Sequence, residues 1–385
     1  MAENAGNSAN RGEKGGKGKK KLRILLRTFG CQMNVRDSEI ISGSLLMKGY
    51  KVVDSSDDAD VVLFNTCSVR QHAEDKVWSE IGKFKHETRI IGLVGCMAEY
   101  HKFDAFKKAP NIDFVCGPNN IASIPSLIEQ AKAGNTKGMA IGQKQRDEFA
   151  YNTNFQAKKD DSFVVIAEGC NNFCSYCVVP FVRGRERSRN HKDILREIQA
   201  LVTKGVKEIT LLGQNVNSYR WNGVDFSQLM NMVSGIEGLR CFSFVTSHPK
   251  DASKDMFEII AKCSNLKKYL HLPLQSASDR ILKLMNRGYT LKEYLKKIED
   301  YRKIVGGGLS TDIIVGFPTE TEGDFQDTLE VLEKIKFDNA YIFKYSTRPH
   351  TEAAKLEDDV GMQEKKRRHK ILLDLQKQIS KKKKI

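Results

Sequence analysis

The sequence predicts an α/β protein in two parts: an open α/β sheet unit, then a partial (β/α)6 barrel. Two observations carry this expectation. Short apolar runs of strand length recur along the chain, separated by stretches of helical periodicity. That alternation is interrupted once, over residues 132–161, where apolar periodicity fails and Gly134, Gly138 and Gly142 accumulate. The 385 residues suit two or three domains at ~150 residues each. With 40% hydrophobic and 29% charged residues, wholesale disorder is excluded. No run of ~18 apolar residues is present to span a membrane. The first 21 residues lack the apolar stretch of an export signal, so a cytoplasmic protein is expected.

In chain order, residues 1–21 read as a basic disordered tail, and 22–131 as the sheet unit. Its strands are expected at 22–27, 61–65, 90–94 and, more briefly, 113–115, with helical patterns such as Asp37 to Lys48 and Val69 to Phe84 between them. Residues 132–161 read as a linker, and 162–361 as the partial barrel. Its strands are expected at 163–167, 208–212, 241–246, 268–272, 309–315 and 340–344. The helices between them are expected at 191–203, 226–235, 251–262, 278–285 and 324–335. Residues 362–385 read as a closing basic helix and stub. Chemistry in such barrels sits at the carboxyl ends of the strands.

The net charge of +15 is concentrated at the two ends. Residues 1–21 carry +4 and residues 365–385 carry +9, leaving +2 for everything between. Such tails bind phosphates non-specifically, or serve only as solvated ends. Nine cysteines, an odd number in a chain without an export signal, argue against a disulfide scaffold and for metal binding or catalysis.

The sharpest motif is Cys170-x3-Cys174-x2-Cys177, directly after the first barrel strand. Three thiolates at this spacing can hold three corners of a cubane iron–sulfur cluster, leaving one iron open. A structural zinc site wants four protein ligands, and the loop supplies no fourth Cys or His. This arrangement resembles the radical S-adenosylmethionine superfamily. The resemblance implies that Cys170, Cys174 and Cys177 hold a 4Fe-4S cluster whose open iron chelates S-adenosylmethionine and cleaves it to a 5′-deoxyadenosyl radical.

Cys31, Cys67 and Cys96 each follow a predicted strand of the sheet unit, so a parallel sheet would bring them to one edge. Singly, each reads equally well as a small core residue. Cys116 also follows a short strand and competes with them, whereas Cys241 and Cys263 read as core. The surrounding residues Gly30-Cys31-Gln32-Met33-Asn34, Asn65-Thr66-Cys67-Ser68-Val69-Arg70 and Gly95-Cys96-Met97-Ala98 resemble the methylthiotransferases. So do Arg183-Gly184-Arg185-Glu186-Arg187-Ser188-Arg189, Gly213-Gln214-Asn215-Val216-Asn217 and Leu272-Pro273-Leu274-Gln275-Ser276, and the match runs from about residue 22 to 380.

Within that family the pattern is most similar to the branch acting on N6-isopentenyladenosine next to the anticodon of tRNA. The resemblance implies an auxiliary 4Fe-4S cluster on Cys31, Cys67 and Cys96 that carries the sulfur to be methylated. It also implies a tRNA anticodon stem-loop as partner, a flavodoxin-like or similar reductant, a sulfur donor and a monomer. Gln214, Asn215, Ser247, Gln275 and Ser276 fall at strand ends and suit either cofactor binding or loop hydrogen bonding. Arg183, Arg185, Arg187 and Arg189 suit the cofactor carboxylate, RNA phosphates or a solvated face. Phe173 and Tyr176 would shield the cluster, pack on adenine or serve as core. The alternatives are the same chemistry on threonylcarbamoyladenosine or on a ribosomal-protein aspartate and, more remotely, a zinc-stapled RNA-binding protein.

Three residues depart from the family pattern, because Ala277, Thr319 and His350 stand where related sequences often carry Gly. The family's small carboxyl-terminal β-barrel, the TRAM domain, is expected to be absent. Either the sequence stops short of it, or the Lys/Arg-rich end replaces it.

Overall fold

The computed structural model describes residues 21–68, 71–143 and 160–383. The tail at 1–20, Val69, Arg70, the linker portion 144–159 and residues 384–385 lie outside the described residues.

The first unit is a six-stranded parallel sheet. Its strands are β1 (Arg23–Phe29), β2 (Lys51–Val53), β3 (Val61–Thr66), β4 (Ile90–Gly95), β5 (Phe114–Cys116) and β6 (Gly138–Ala140), in spatial order β2-β1-β3-β4-β5-β6. The central β3 is buried at every residue, which is why it reads as a continuous apolar run. The edge strands β2 and β6 escaped the sequence reading, and β6 lies inside the expected linker. Each is three residues long and partly exposed, so neither needs an apolar run.

The helices of this unit are α1 (Gln32–Met47), α2 (Gln71–Gly82), α3 (Cys96–His101) and α4 (Ile124–Lys132). α1 begins five residues earlier than the apolar pattern suggests. Its first turn buries Met33, Asn34 and Arg36, so polar side chains are turned inward.

The second unit contains six parallel strands in sequential order. They are β7 (Asp161–Val165), β8 (Glu208–Leu212), β9 (Cys241–Phe244), β10 (Tyr269–His271), β11 (Gly308–Val315) and β12 (Asn339–Lys344). β9 joins the segment leading to β10 through Phe242 and Leu266, where the Phe242 amide donates to the Asn265 carbonyl at 2.8 Å.

The helices of the barrel are α5 (His191–Thr203), α6 (Phe226–Ser234), α7 (Lys254–Lys262), α8 (Asp279–Leu284), α9 (Leu291–Ile304), α10 (Glu322–Ile335) and α11 (Met362–Lys382). α9 was missed in the sequence, although Thr290 and Glu293 form a reciprocal capping box at its start.

Alternate residues of the first barrel strands face two different cores, as the two-residue strand period requires. Val164, Ile166 and Leu211 pack with the barrel helices. Val165 and Leu212 instead join Ile40 and Ile41 of α1 and Leu127 and Ile128 of α4. One helical layer thus covers its own sheet and the inner face of the barrel together.

Thr319 and His350 both have φ of +69°, so the backbone there is left-handed and the family's preference for Gly has a steric cause. His350 offsets its strain with an edge contact to Tyr100, ring centroids 6.2 Å apart.

Buried ion pairs cross between the units. Arg36 of α1 pairs with Glu197 of α5 at 3.1 Å, and Glu197 also meets Arg189 at 2.8 Å. Replacing Glu197 with Ala would leave two arginines buried without their shared carboxylate. We expect a loss of about 3–5 kcal/mol, read as a lower urea midpoint followed by a probe in each unit.

Candidate iron–sulfur and S-adenosylmethionine site

The strand order of the first unit places its first cysteine trio. From β1 the chain crosses to β2 on one side, and from β3 onward it progresses to the other. The crevice between β1 and β3 is therefore the topological switch point, where open α/β sheets bind ligands. Cys31 follows β1, Cys67 follows β3, and Cys96 begins α3 at the end of the neighbouring β4.

Two glycines make the close approach possible. A Cβ on Gly30 (φ +143°) would stand 2.6 Å from the Cβ of Cys67 and from Asn34 Oδ1. A Cβ on Gly95 (φ +88°) would meet Asn65 Oδ1 at 2.5 Å. Those amides belong to a buried polar lattice that ties α1 to β3. Asn65 Nδ2 donates to the Asn34 carbonyl and to Ser38 Oγ, both at 2.8 Å, while Asn34 Nδ2 donates to Asn65 Oδ1 at 3.2 Å.

The electrostatics of this edge are uneven. Cys31 is exposed, and its thiol is pulled down to about 5, chiefly by a hydrogen bond from Cys67, with Arg183 and the amides of Asn34 and Met33 assisting. Cys96 is buried and pushed up by loss of water, although the Arg183 guanidinium hydrogen-bonds it and counters the shift. Cys116 is not part of this group: its thiol donates to the Asn120 carbonyl of its own loop at 3.2 Å.

The second trio lies on the loop leaving β7. The Cys170 amide donates to the Gly184 carbonyl at 3.1 Å, the Asn172 amide reaches Cys170 Sγ at 3.5 Å, and the Cys177 amide closes a turn on the Cys174 carbonyl. Burial raises the Cys170 thiol and pushes Cys177 up to about 12, with the charge of Cys174 adding to both. Burial keeps these thiols protonated on their own, and a cationic centre among them, such as an iron–sulfur core, would deprotonate them. Among the described residues no three Cys, His, Asp or Glu side chains gather closely enough for a single metal ion.

Arg287, missed in the sequence, belongs to this second site. It is buried and donates to Cys174 Sγ at 3.2 Å, Tyr176 Oη at 3.4 Å and the Pro273 carbonyl at 3.0 Å. No local pattern marks it, because the contacts that bring it to the site, to Cys174, Tyr176 and Pro273, span 14 or more residues, and only Tyr289 is a near neighbour.

A cavity of about 680 Å³ opens beside the loop, lined among others by Tyr176, Cys177, Gln275, Asp312, Tyr345 and Arg348. Gln275 is buried at φ +74° with its Oε1 unpartnered, so an acceptor is held ready there. Gln214 Oε1 accepts the Gly169 amide at 2.6 Å, and Asn215 Nδ2 donates to Asp251 at 2.7 Å with its own Oδ1 left unpartnered. Ser247 Oγ donates to the His271 carbonyl, and Ser276 Oγ accepts the Ser278 amide at 3.3 Å. Of the expected binding residues, Gln275 lines the cavity, Asn215 keeps a free acceptor, and Gln214, Ser247 and Ser276 shape the loops. His248, also missed, is held neutral by burial and by Arg287, its imidazole lowered to about 2.

The four alternating arginines do not form a solvated face. Arg183 pairs with Asp37 of α1 at 2.7 Å, and Arg189 pairs with Glu197. Arg187 reaches Asn119 at 3.2 Å, and Arg185 lies 4.3 Å over the Phe173 ring. Arg183 therefore sits at the first trio rather than at the barrel mouth.

The unequal thiols of the first trio have a chemical consequence. In metal-free protein at pH 7, Cys31 should alkylate fastest of the trio, and its rate should fall as pH drops through about 5 and protonates it. Peptide mapping after a short iodoacetamide pulse measures this.

Comparisons with known proteins agree with this geometry. A profile described as the radical SAM superfamily matches residues 164–332, and one described as uncharacterized protein family UPF0004 matches residues 23–117. A tRNA-2-methylthio-N(6)-dimethylallyladenosine synthase of Prosthecochloris aestuarii is 44% identical over 367 residues, covering 93% of this chain and 83% of the relative. The protein of the same name from a Sulfurihydrogenibium species is 43% identical over 376 residues, covering 94% and 85%.

Among solved structures, the radical S-adenosylmethionine methyltransferase TsrM of Kitasatospora setae shares the fold. Its TM-score is 0.63 at 13% identity, over 86% of this chain and 74% of that one. The cobalamin-dependent S-adenosylmethionine radical enzyme OxsB aligns with TM-score 0.57 at 13% identity, over 94% of this chain and 56% of that one. Radical SAM membership brings a 4Fe-4S cluster and S-adenosylmethionine as cofactors. The chain belongs to the family of the tRNA-2-methylthio-N(6)-dimethylallyladenosine synthases, within the radical SAM superfamily.

Proposed function

We propose that this enzyme replaces the hydrogen on carbon 2 of N6-isopentenyladenosine, next to the anticodon of tRNA, with a methylthio group, using two 4Fe-4S clusters. The observation that carries the reading is the pair of cysteine trios at the carboxyl edges of two parallel sheets, linked through the single segment Arg183-Gly184. Cys170, Cys174 and Cys177 hold the cluster that binds S-adenosylmethionine, and Cys31, Cys67 and Cys96 hold the auxiliary one.

The carbon–hydrogen bond at this position is neither acidic nor open to nucleophilic displacement, so acid–base side chains leave a prohibitive barrier. When bound, the cluster and S-adenosylmethionine supply the radical chemistry that removes the hydrogen. The protein's residues do the positioning. Arg287 fixes Cys174 and Tyr176 together. The cavity volume lies within the range of small-ligand sites, and an adenine must leave its stack to enter such a pocket. The buried Tyr176 phenol, pushed up by loss of water, stays neutral on the cavity wall, while Asp312 and Arg348 supply charge there. A cluster on Cys31, Cys67 and Cys96 would carry the sulfur to be transferred, replenished by a separate donor. A monomer in the cytoplasm, served by a flavodoxin-like reductant and a separate sulfur donor, completes the reading.

The trios should separate on mutation. Reconstituted Cys31→Ala should still release 5′-deoxyadenosine and yet give no methylthio product, whereas Cys174→Ala should lose both, as followed by chromatography and mass spectrometry. Equal loss of cleavage in the two variants contradicts the division. Offered isopentenylated tRNA, threonylcarbamoylated tRNA and ribosomal protein in parallel, the wild type should add a methylthio mass to the first alone. Modification of either of the others reassigns the substrate, and zinc without iron or sulfide removes the enzyme reading altogether.

A further inference from the structure

Arg183 stands six residues after Cys177, across the short helical turn Val179–Val182, and its amide closes that turn on the Val179 carbonyl at 2.8 Å. The turn packs against α3, the helix that starts at Cys96. From there the Arg183 side chain leaves its own unit. The residue is 3% exposed, and its guanidinium donates to Asp37 Oδ2 at 2.7 Å, with Cys96 and Cys31 within its electrostatic reach. The backbone of the same two residues turns the other way. The Gly184 carbonyl accepts from the Cys170 amide at 3.1 Å, and Asn119 of the first unit donates to the Arg183 carbonyl at 3.5 Å. One dipeptide therefore touches both cysteine trios.

A guanidinium carries five N–H donors in a rigid fork. Asp37 accepts one of these donors and fixes the guanidinium where its charge reaches Cys31 and Cys96. We infer that Arg183 is a positioning residue of the first trio: it compensates the charge of a cluster on Cys31, Cys67 and Cys96 and holds that site at a set distance from the Cys170 loop.

This inference rests on the auxiliary cluster of the proposed function. Its physical consequence is directional. Reduction adds negative charge to a cluster, and a buried cation beside it stabilises the reduced form, so removing the cation lowers the reduction potential. Arg287 stands in the same relation to Cys174, which makes the second cluster an internal control.

The test is a redox titration, followed by electron paramagnetic resonance, of the anaerobically reconstituted full chain as wild type, Arg183→Met and Arg183→Lys. In Arg183→Met the potential of the auxiliary cluster should fall. The cluster on Cys170, Cys174 and Cys177 should keep both its potential and the change in its signal on adding S-adenosylmethionine. Arg183→Lys should restore most of the auxiliary potential. An unaltered auxiliary potential in Arg183→Met, or an equal shift in both clusters, overturns the inference. If Arg183→Met takes up no iron on the first trio, uptake restored by Arg183→Lys supports the charge role, and uptake lost in both variants overturns it. A wild type holding a single cluster removes the reading above, whereas two clusters indifferent to Arg183 remove this inference alone.

Discussion

Three arginines are buried across the boundary between the sheet unit and the barrel, each against a carboxylate of the other unit. Arg36 meets Glu197, Arg183 meets Asp37, and Arg348 meets Glu74 at 3.0 Å. Buried pairs of this kind contribute little net stability, because desolvation offsets most of their attraction. Their effect is to penalise every other arrangement. Sliding one unit along the other would leave charges in a dry interface without partners, at several kcal/mol each. The apolar layer of α1 and α4 tolerates small shifts, but the ion pairs do not, so the geometry between the two cysteine trios follows from them.

Two of the pairs also abut a part of the site. Asp37 lies on the helix that begins beside Cys31, and Glu74 also holds His101, at the end of the helix that begins at Cys96. Arg348 enters from the loop after the last barrel strand and lines the cavity on its way to Glu74. Arg348 thus takes part both in docking the units and in lining the cavity. Polar groups are turned inward where an isolated α/β sheet would bury only apolar ones. The first turn of α1 begins the helix earlier than its apolar pattern suggests for this reason: Asn34, Arg36 and Asp37 are interior residues whose partners lie elsewhere in the fold.

The parts of the structure that local patterns revealed are those governed by local forces. Long central strands such as β3 and β11 read clearly, because a strand flanked on both sides must be apolar or regularly alternating. β2 and β6 did not read, because an edge strand of three residues carries no such demand. The Cys170 loop stood out from spacing alone, since three sulfurs on eight consecutive residues are already confined by the chain. The first trio was legible only as three strand ends. Its convergence needed the strand order, which places β1 beside β3 and β3 beside β4.

The arginines mark the limit of that reading. Arg183 and Asp37 are 146 residues apart, and Arg348 and Glu74 are 274 apart, so no periodicity or spacing connects them. By itself the sequence determined the order of the longer strands and most helices, β2, β6 and α9 excepted, and the cysteine-bearing strand ends, because hydrophobic period and short-range spacing are properties of neighbouring residues. Only the tertiary structure decided which cysteine-bearing strand ends lie side by side, which arginine crosses to Asp37 and how the two units are held together. Those relations depend on desolvated charges meeting across the fold, and a buried charge takes whatever partner the packing brings to it.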